Sequence, residues 1–205
     1  MFVADLLRHG ALKGGVKYRG RIEEDLTAEG RTQMNQVWEN IHSHIDLIIT
    51  SPLSRCALPA QYWANKNAIP CIIEPRIAEM HYGAWEGLSH DEIEEQFPNM
   101  LTQWRKNPTG MRPPSGESPE ELQIRIADFW QDACHNYREK HALIVGHSGS
   151  TRMLIAHILN QPIAYTRHIP MPYACWSRAE HHSGKNKMIF INGENNLSRM
   201  IHKSS

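Results

Sequence analysis

Two histidines stand in the same setting, and that setting restricts the fold more than anything else in the chain. Phe2, Val3, Ala4, Leu6 and Leu7 form a short apolar run that ends at Arg8-His9-Gly10. Leu143, Ile144 and Val145 lead in the same way into Gly146-His147-Ser148-Gly149. Each reads as a buried strand cut off by a glycine turn, with a histidine at its carboxyl end. In an open α/β sheet that edge is where ligands bind. Two imidazoles and an arginine brought to one such edge predict a phosphate pocket.

The rest of the chain supplies the other elements. Residues 10–26 are glycine-rich and polar and read as a loop. Thr27 caps a helix from Ala28, where Met34, Val37, Trp38 and Ile41 recur at helical spacing. Asp46–Thr50 reads as a second strand and Cys71–Glu74 as a third. Between them Ser51 is the expected cap of a helix with Pro52 at its first position. From Pro75 to Ser118 regularity is lost, as in a lid or binding loop. A helix over Pro119–Glu139, a strand over 142–146 and a helix over Thr151–Leu159 follow. Cys175-Trp176-Ser177 and Met188–Ile191 flank a Ser183-Gly184 turn and read as an edge hairpin. The order predicts an α/β fold of three layers, α/β/α. Its sheet is doubly wound and mostly parallel, with an antiparallel edge and an irregular lid insert at about 75–118. One domain over 1–205 is expected.

Composition narrows the partners. Lys+Arg and Asp+Glu both number 22 in a chain of 205 residues. A balanced charge argues against broad nucleic-acid binding, which needs a basic excess, but leaves room for a local cationic pocket. No apolar run approaches a membrane span, and the early Asp5 and Arg8 leave no apolar leader segment. A cytoplasmic protein is the expectation. Cys56, Cys71, Cys134 and Cys175 have no metal-like spacing and read as reduced thiols, several in the core. His81, His90, His181 and His182 fit no compact ligand set and read as structural or exposed. The sequence carries no signature of an oligomeric state.

Three strand ends converge by topology. They carry Arg8 and His9, then Ser51 with Arg55 one helical turn on, then His147. Two guanidiniums fork onto phosphate oxygens. One imidazole can donate a hydrogen bond; the other, if neutral and fixed in one tautomer, can attack phosphorus. Nearby arginines disfavour an imidazolium and keep that lone pair free. Helix starts after Ser51 and Gly149 add unpaired N–H groups. A general acid must protonate the leaving oxygen, and Glu79 at the mouth of the insert is the candidate. Each residue alone is weak evidence; their order, strand context and spacing agree.

At this point the residues resemble the histidine phosphatase superfamily, in its phosphoglycerate-mutase-like branch. The motifs appear in order across nearly the whole chain: Leu7-Arg8-His9-Gly10; Tyr18-Arg19-Gly20 followed by Asp25–Gly30; Thr50–Arg55; Glu79–Gly87; Pro114–Ser118; and Gly146-His147. The resemblance implies that His9 becomes phosphorylated and that Arg8, Arg55 and His147 complete the phosphate pocket. Glu79 is then the proton donor and afterwards the base that activates water, and neither metal nor other cofactor takes part. Gly10 and Ser148 flank the two histidines and join the expected substrate-binding set. Tyr18 and Arg19 either reach the phosphate or the sugar or shape the loop. One departure is visible: where many members have Glu-Thr after the first motif and a later Asn, this chain has Ala11, Leu12 and Gly15. Within the superfamily the chain looks most like alpha-ribazole phosphatases, which implies a small phosphorylated metabolite, alpha-ribazole 5'-phosphate, as substrate in cobalamin biosynthesis. The alternatives are a broader small-metabolite phosphatase or a mutase-type isomerase. Tyr82, Trp85 and Trp104 are candidates for a face that stacks on a benzimidazole ring; the competing expectation is that they pack in the core or under the lid.

Overall fold

A computed structural model describes residues 1–193. The tail of the expected single domain, 194–205, lies outside the described residues. The strands are β1 (Phe2–Arg8), β2 (Leu47–Thr50), β3 (Cys71–Ile73), β4 (His141–Gly146), β5 (Trp176–His182) and β6 (Lys185–Phe190). They form one sheet in the order β3-β2-β4-β1-β5-β6. The first four are mutually parallel, and β5 runs antiparallel to both β1 and β6. The antiparallel edge is therefore a full two-strand hairpin, with β5 bonded along the length of β1.

The helices are α1 (Ala28–Ile41), α2 (Ser54–Asn67), α3 (His90–Gln96), α4 (Met100–Lys106), α5 (Pro119–Asn136) and α6 (Ser148–Ile158). Alternate strand residues sort the core into two faces. Phe2, Leu6, Ile49 and Ile144 pack beneath α5 and α6. Leu7, Ile48, Leu143 and Val145 pack beneath α1 and α2, where Trp38 and Trp63 stack at 5.1 Å with 5° between their planes. The three-layer α/β/α arrangement follows from this sorting.

Several local expectations shift. Thr27 caps α1 as expected, its hydroxyl accepting from the Gly30 N–H. Ser51 does not cap α2, which begins at Ser54 after an extended Leu53. The Ser51 hydroxyl instead accepts from the Leu53 N–H and faces His147. α6 begins at Ser148, earlier than Thr151. The 75–118 insert is less irregular than its sequence reads. It contains α3, α4 and two short 3-10 turns at 75–77 and 83–85. It has its own small core of Trp85, Ile93 and Leu101, with Tyr82 and Trp104 against it. Ser89 and Glu92 form a capping box at the start of α3, a sequence signal that would have located it. The four cysteines are free thiols, three of them buried. Among the described residues no helix is long and apolar enough to cross a membrane.

Candidate active site

Strand register brings the predicted residues level with one another. Arg8 pairs with Gly146 and Thr50 with Val145. The chain then continues the pairing by one residue on each side: His9 N–H donates to Gly146 O at 3.0 Å and Ser51 N–H to Val145 O at 3.0 Å. His9, His147 and Ser51 therefore leave the sheet together at the carboxyl edge of β1, β4 and β2, where the strand order reverses.

His9 is buried, and its Nδ1 lies 2.9 Å from the Gly10 carbonyl. A carbonyl only accepts, so Nδ1 carries the hydrogen and Nε2 keeps its lone pair. Burial, then the charges of Arg8, Arg55 and Arg19, hold the imidazole well below its usual pKa. A neutral ring of known tautomer is what a nitrogen nucleophile needs. Gly10 contributes by being small: a Cβ there would lie 2.0 Å from the Gly30 carbonyl oxygen. It seats the end of β1 against the start of α1 and is not on the wall of the pocket.

The arginines divide the work unequally. Arg8 packs over the Tyr173 ring at 4.2 Å and donates to the Met171 carbonyl, while its buried Nε has no partner. A buried donor without an acceptor is costly unless a ligand fills the gap. Arg55 donates to Gly20 O at 2.6 Å, Ile22 O at 2.8 Å and His147 Nδ1 at 3.2 Å. It thus fastens the glycine-rich loop over the site. Arg19 gives its donors to Glu24 and to the carbonyls of Lys13 and Gly15, so of the two roles expected for it the structure realises loop shaping. Tyr18 lies on the pocket wall, edge-on to Tyr82 at 4.9 Å.

His147 is placed differently from the expectation of a direct phosphate contact. It is fully buried, 5.4 Å from His9 between ring centroids. Its Nδ1 accepts from Arg55, so Nε2–H donates to the Ser51 hydroxyl at 2.7 Å. Both ring nitrogens are engaged with protein, and burial followed by Arg55 pushes its pKa well down. His147 here orients Arg55 behind the site. To touch phosphate it must exchange one of these partners.

Glu79 reaches the site from the insert. Its carboxylate accepts from Met80 N–H at 2.9 Å and from Gly149 and Ser150 N–H at 3.0 Å each. Two first-turn amides of α6, those of Gly149 and Ser150, are thus occupied by Glu79. Behind it, Arg125 pairs with Glu117 at 2.6 Å and donates to the carbonyls of Ala78 and Glu79. The Pro114–Ser118 motif acts as this clamp on the segment that carries Glu79. Ser148 lines the pocket, its hydroxyl accepting from Arg152 at 2.5 Å.

These groups open onto a cavity of about 620 Å³. Seven of its wall residues are Lys or Arg, and among the described residues Glu79 is the one carboxylate on the wall. Tyr82 and Trp104 reach the cavity, whereas Trp85 is fully buried in the insert's core. Arg152 and Tyr173 are wall residues that sequence reasoning missed. Arg152 lies one helical turn beyond Ser148, a spacing that points to the same edge. Tyr173 sits in the irregular approach to β5 and has no such signal. Among the described residues no group of three or more His, Cys, Asp or Glu is arranged to hold a metal ion.

Comparison with known proteins agrees with this geometry. The adenosylcobalamin/alpha-ribazole phosphatase of Escherichia coli (strain K12) is 26% identical over 175 residues, covering 84% of this chain and 86% of that protein. Phosphoserine phosphatase 1 of Hydrogenobacter thermophilus is 26% identical over 144 residues, covering 70% of this chain and 68% of that protein. The structure of Bacillus stearothermophilus YhfR superimposes with a TM-score of 0.90 at 24% identity, covering 96% of this chain and 100% of that one, and so shares the fold. The family model for the histidine phosphatase superfamily (branch 1) matches residues 5–193. The chain belongs to that superfamily.

Proposed function

We propose that this protein is a phosphomonoesterase that passes the phosphoryl group through His9, using its own side chains and no metal ion. The supporting observation is the pairing of a neutral His9, its Nε2 lone pair free, with the unpartnered Nε of Arg8 beside it. In the first step Nε2 attacks phosphorus, the N–P bond forms and the ester P–O bond breaks. Glu79 gives the departing oxygen its proton. In the second step Glu79 takes a proton from water, the water oxygen attacks phosphorus, and the N–P bond breaks to release phosphate and restore His9. Arg8 and Arg55 hold the equatorial oxygens throughout. Phosphomonoesters need up to ~10²¹-fold acceleration, most of it from positioning and fixed positive charge. A wall of seven cations with one carboxylate suits that task and is a poor host for a metal cation.

The substrate has two readings. Alpha-ribazole 5'-phosphate is supported by the E. coli relative and by the aromatic side chains of Tyr18, Tyr82 and Trp104 on the cavity wall. A broader choice of small phosphorylated metabolites is supported by the phosphoserine phosphatase relative at the same identity, and by the cationic mouth. The mutase-type alternative differs only in returning the phosphoryl group to a substrate hydroxyl.

The test of the reaction is chemical trapping. Protein mixed with ³²P-labelled ester and quenched in base should retain label that is released by acid and maps to His9. His9→Ala should retain none and lose turnover while keeping its fold, and EDTA should leave the wild-type rate unchanged. Turnover by His9→Ala near the wild-type rate would remove the nucleophile assignment.

A further inference from the structure

The wall charges exceed what one phosphoryl group requires. Arg8 and Arg55 stand with His9 at the strand ends; Arg105, Arg152 and Arg167 stand farther out on the same wall, on α4, α6 and the 163–168 turn. Among the described residues none of these three has a carboxylate at ion-pair distance. They are nonetheless held in place. Arg152 donates to Ile169 O at 2.8 Å and to the Ser148 hydroxyl at 2.5 Å. Arg167 donates to the Lys106 carbonyl, which ties the 163–168 turn to the end of α4. Arg105 stands beside the Tyr18 hydroxyl, and the charge of Arg152 bears on both Arg8 and Tyr18. The three guanidiniums therefore line the same cavity as Arg8. Composition does not account for them, since the whole chain is charge-balanced. Cations gathered without carboxylate partners repel one another unless an anion joins them.

Building on the phosphatase reading above, we infer that Arg105, Arg152 and Arg167 form a second anion subsite, and that the substrate is a phosphomonoester whose leaving group carries its own negative charge, a carboxylate or a second phosphate. The inner arginines take the phosphoryl group that is transferred; the outer three take the remote anion and orient the leaving oxygen toward Glu79. Alpha-ribazole 5'-phosphate, with no second anion, is then a poor substrate.

Matched pairs of esters test this. The first pair is 3-phosphoglycerate against glycerol 3-phosphate, which differ by a carboxylate. The second is fructose 1,6-bisphosphate against fructose 6-phosphate, which differ by a phosphate; comparing the two pairs identifies the anion. At least one pair should favour the doubly anionic ester by roughly 10–100-fold in kcat/KM, the worth of one or two charge-assisted hydrogen bonds. In the double variant Arg105→Gln, Arg167→Gln that ratio should shrink to within about 3-fold. Calorimetric binding of the same pairs to His9→Ala should show the same order, and this readout does not depend on turnover. Equal kcat/KM within both pairs, a ratio untouched by the double variant, or a preference for alpha-ribazole 5'-phosphate would overturn the inference. A protein that binds the pairs in the expected order yet forms no phosphohistidine would overturn the reaction assigned above and leave the subsite standing.

Discussion

His9 and His147 are two imidazoles kept neutral for different ends. In His9 the shift protects a lone pair; in His147 it protects the acceptor that Arg55 needs. The acid limb of kcat/KM should therefore fall well below pH 6.5, because His9 loses its lone pair only on protonation. Stability should show the same groups. Unfolded histidines titrate near 6.5 and the folded ones lower, so between those values the unfolded chain binds more protons. Stability is intact above about pH 6.5 and declines as pH falls below it, by up to ~1.4 kcal/mol per unit for each histidine. Urea midpoints between pH 7.5 and 5.0 check the sign, and His9→Ala should flatten the slope. Glu79→Gln tests another residue. Loss of the proton donor should cost roughly 10²–10⁴-fold in kcat. An amide NH₂ also cannot accept from all three N–H groups now bound, so a thermal melt should show a loss of about 1–3 kcal/mol. These residues were legible because RHG and Gly-His each follow an apolar run. The partners of His147 were not, since they depend on how α2 enters the site.

Among the elements, those with a strong periodic signal were placed well and those with short ones were not. β1, β2 and β4 are short, largely apolar runs, interrupted in β1 by Asp5, and α1 and α5 show long apolar stripes with Thr27 and Ser118 capping them. α3 and α4 span only seven residues each, too short for a stripe to stand out. α2 starts later than expected because Leu53 is extended and the helix begins only at Ser54. The seat of β1 on α1 gives a sharp test. Gly10→Ala would push a methyl to 2.0 Å from the Gly30 carbonyl oxygen, with backbone on both sides. Overpacking of this kind costs roughly 1–3 kcal/mol or more. A lower urea midpoint accompanied by loss of turnover is expected, since His9 is the adjacent residue; normal stability and activity would show that the two elements are free to separate.

At the scale of the molecule, a charge-neutral chain encloses a cationic cavity. Its field should draw in anionic esters and weaken as salt screens it. From about 20 to 500 mM NaCl, where the Debye length shrinks several-fold, kcat/KM for p-nitrophenyl phosphate should fall several-fold and kcat much less. A flat response would show that the wall charges do not reach approaching substrate. The three layers and the edge hairpin could be read from the order of elements. The wall could not, because Arg105, Arg152, Arg167 and Tyr173 come from four separated segments and meet only once the insert has folded over the sheet.

The bond between the His9 ring and its neighbour's carbonyl has one chemical consequence. With the nitrogen nearer the backbone committed to Gly10, phosphorus can attach only to the far one. On the proposed route the phosphoramidate would then be the τ isomer and not the π isomer.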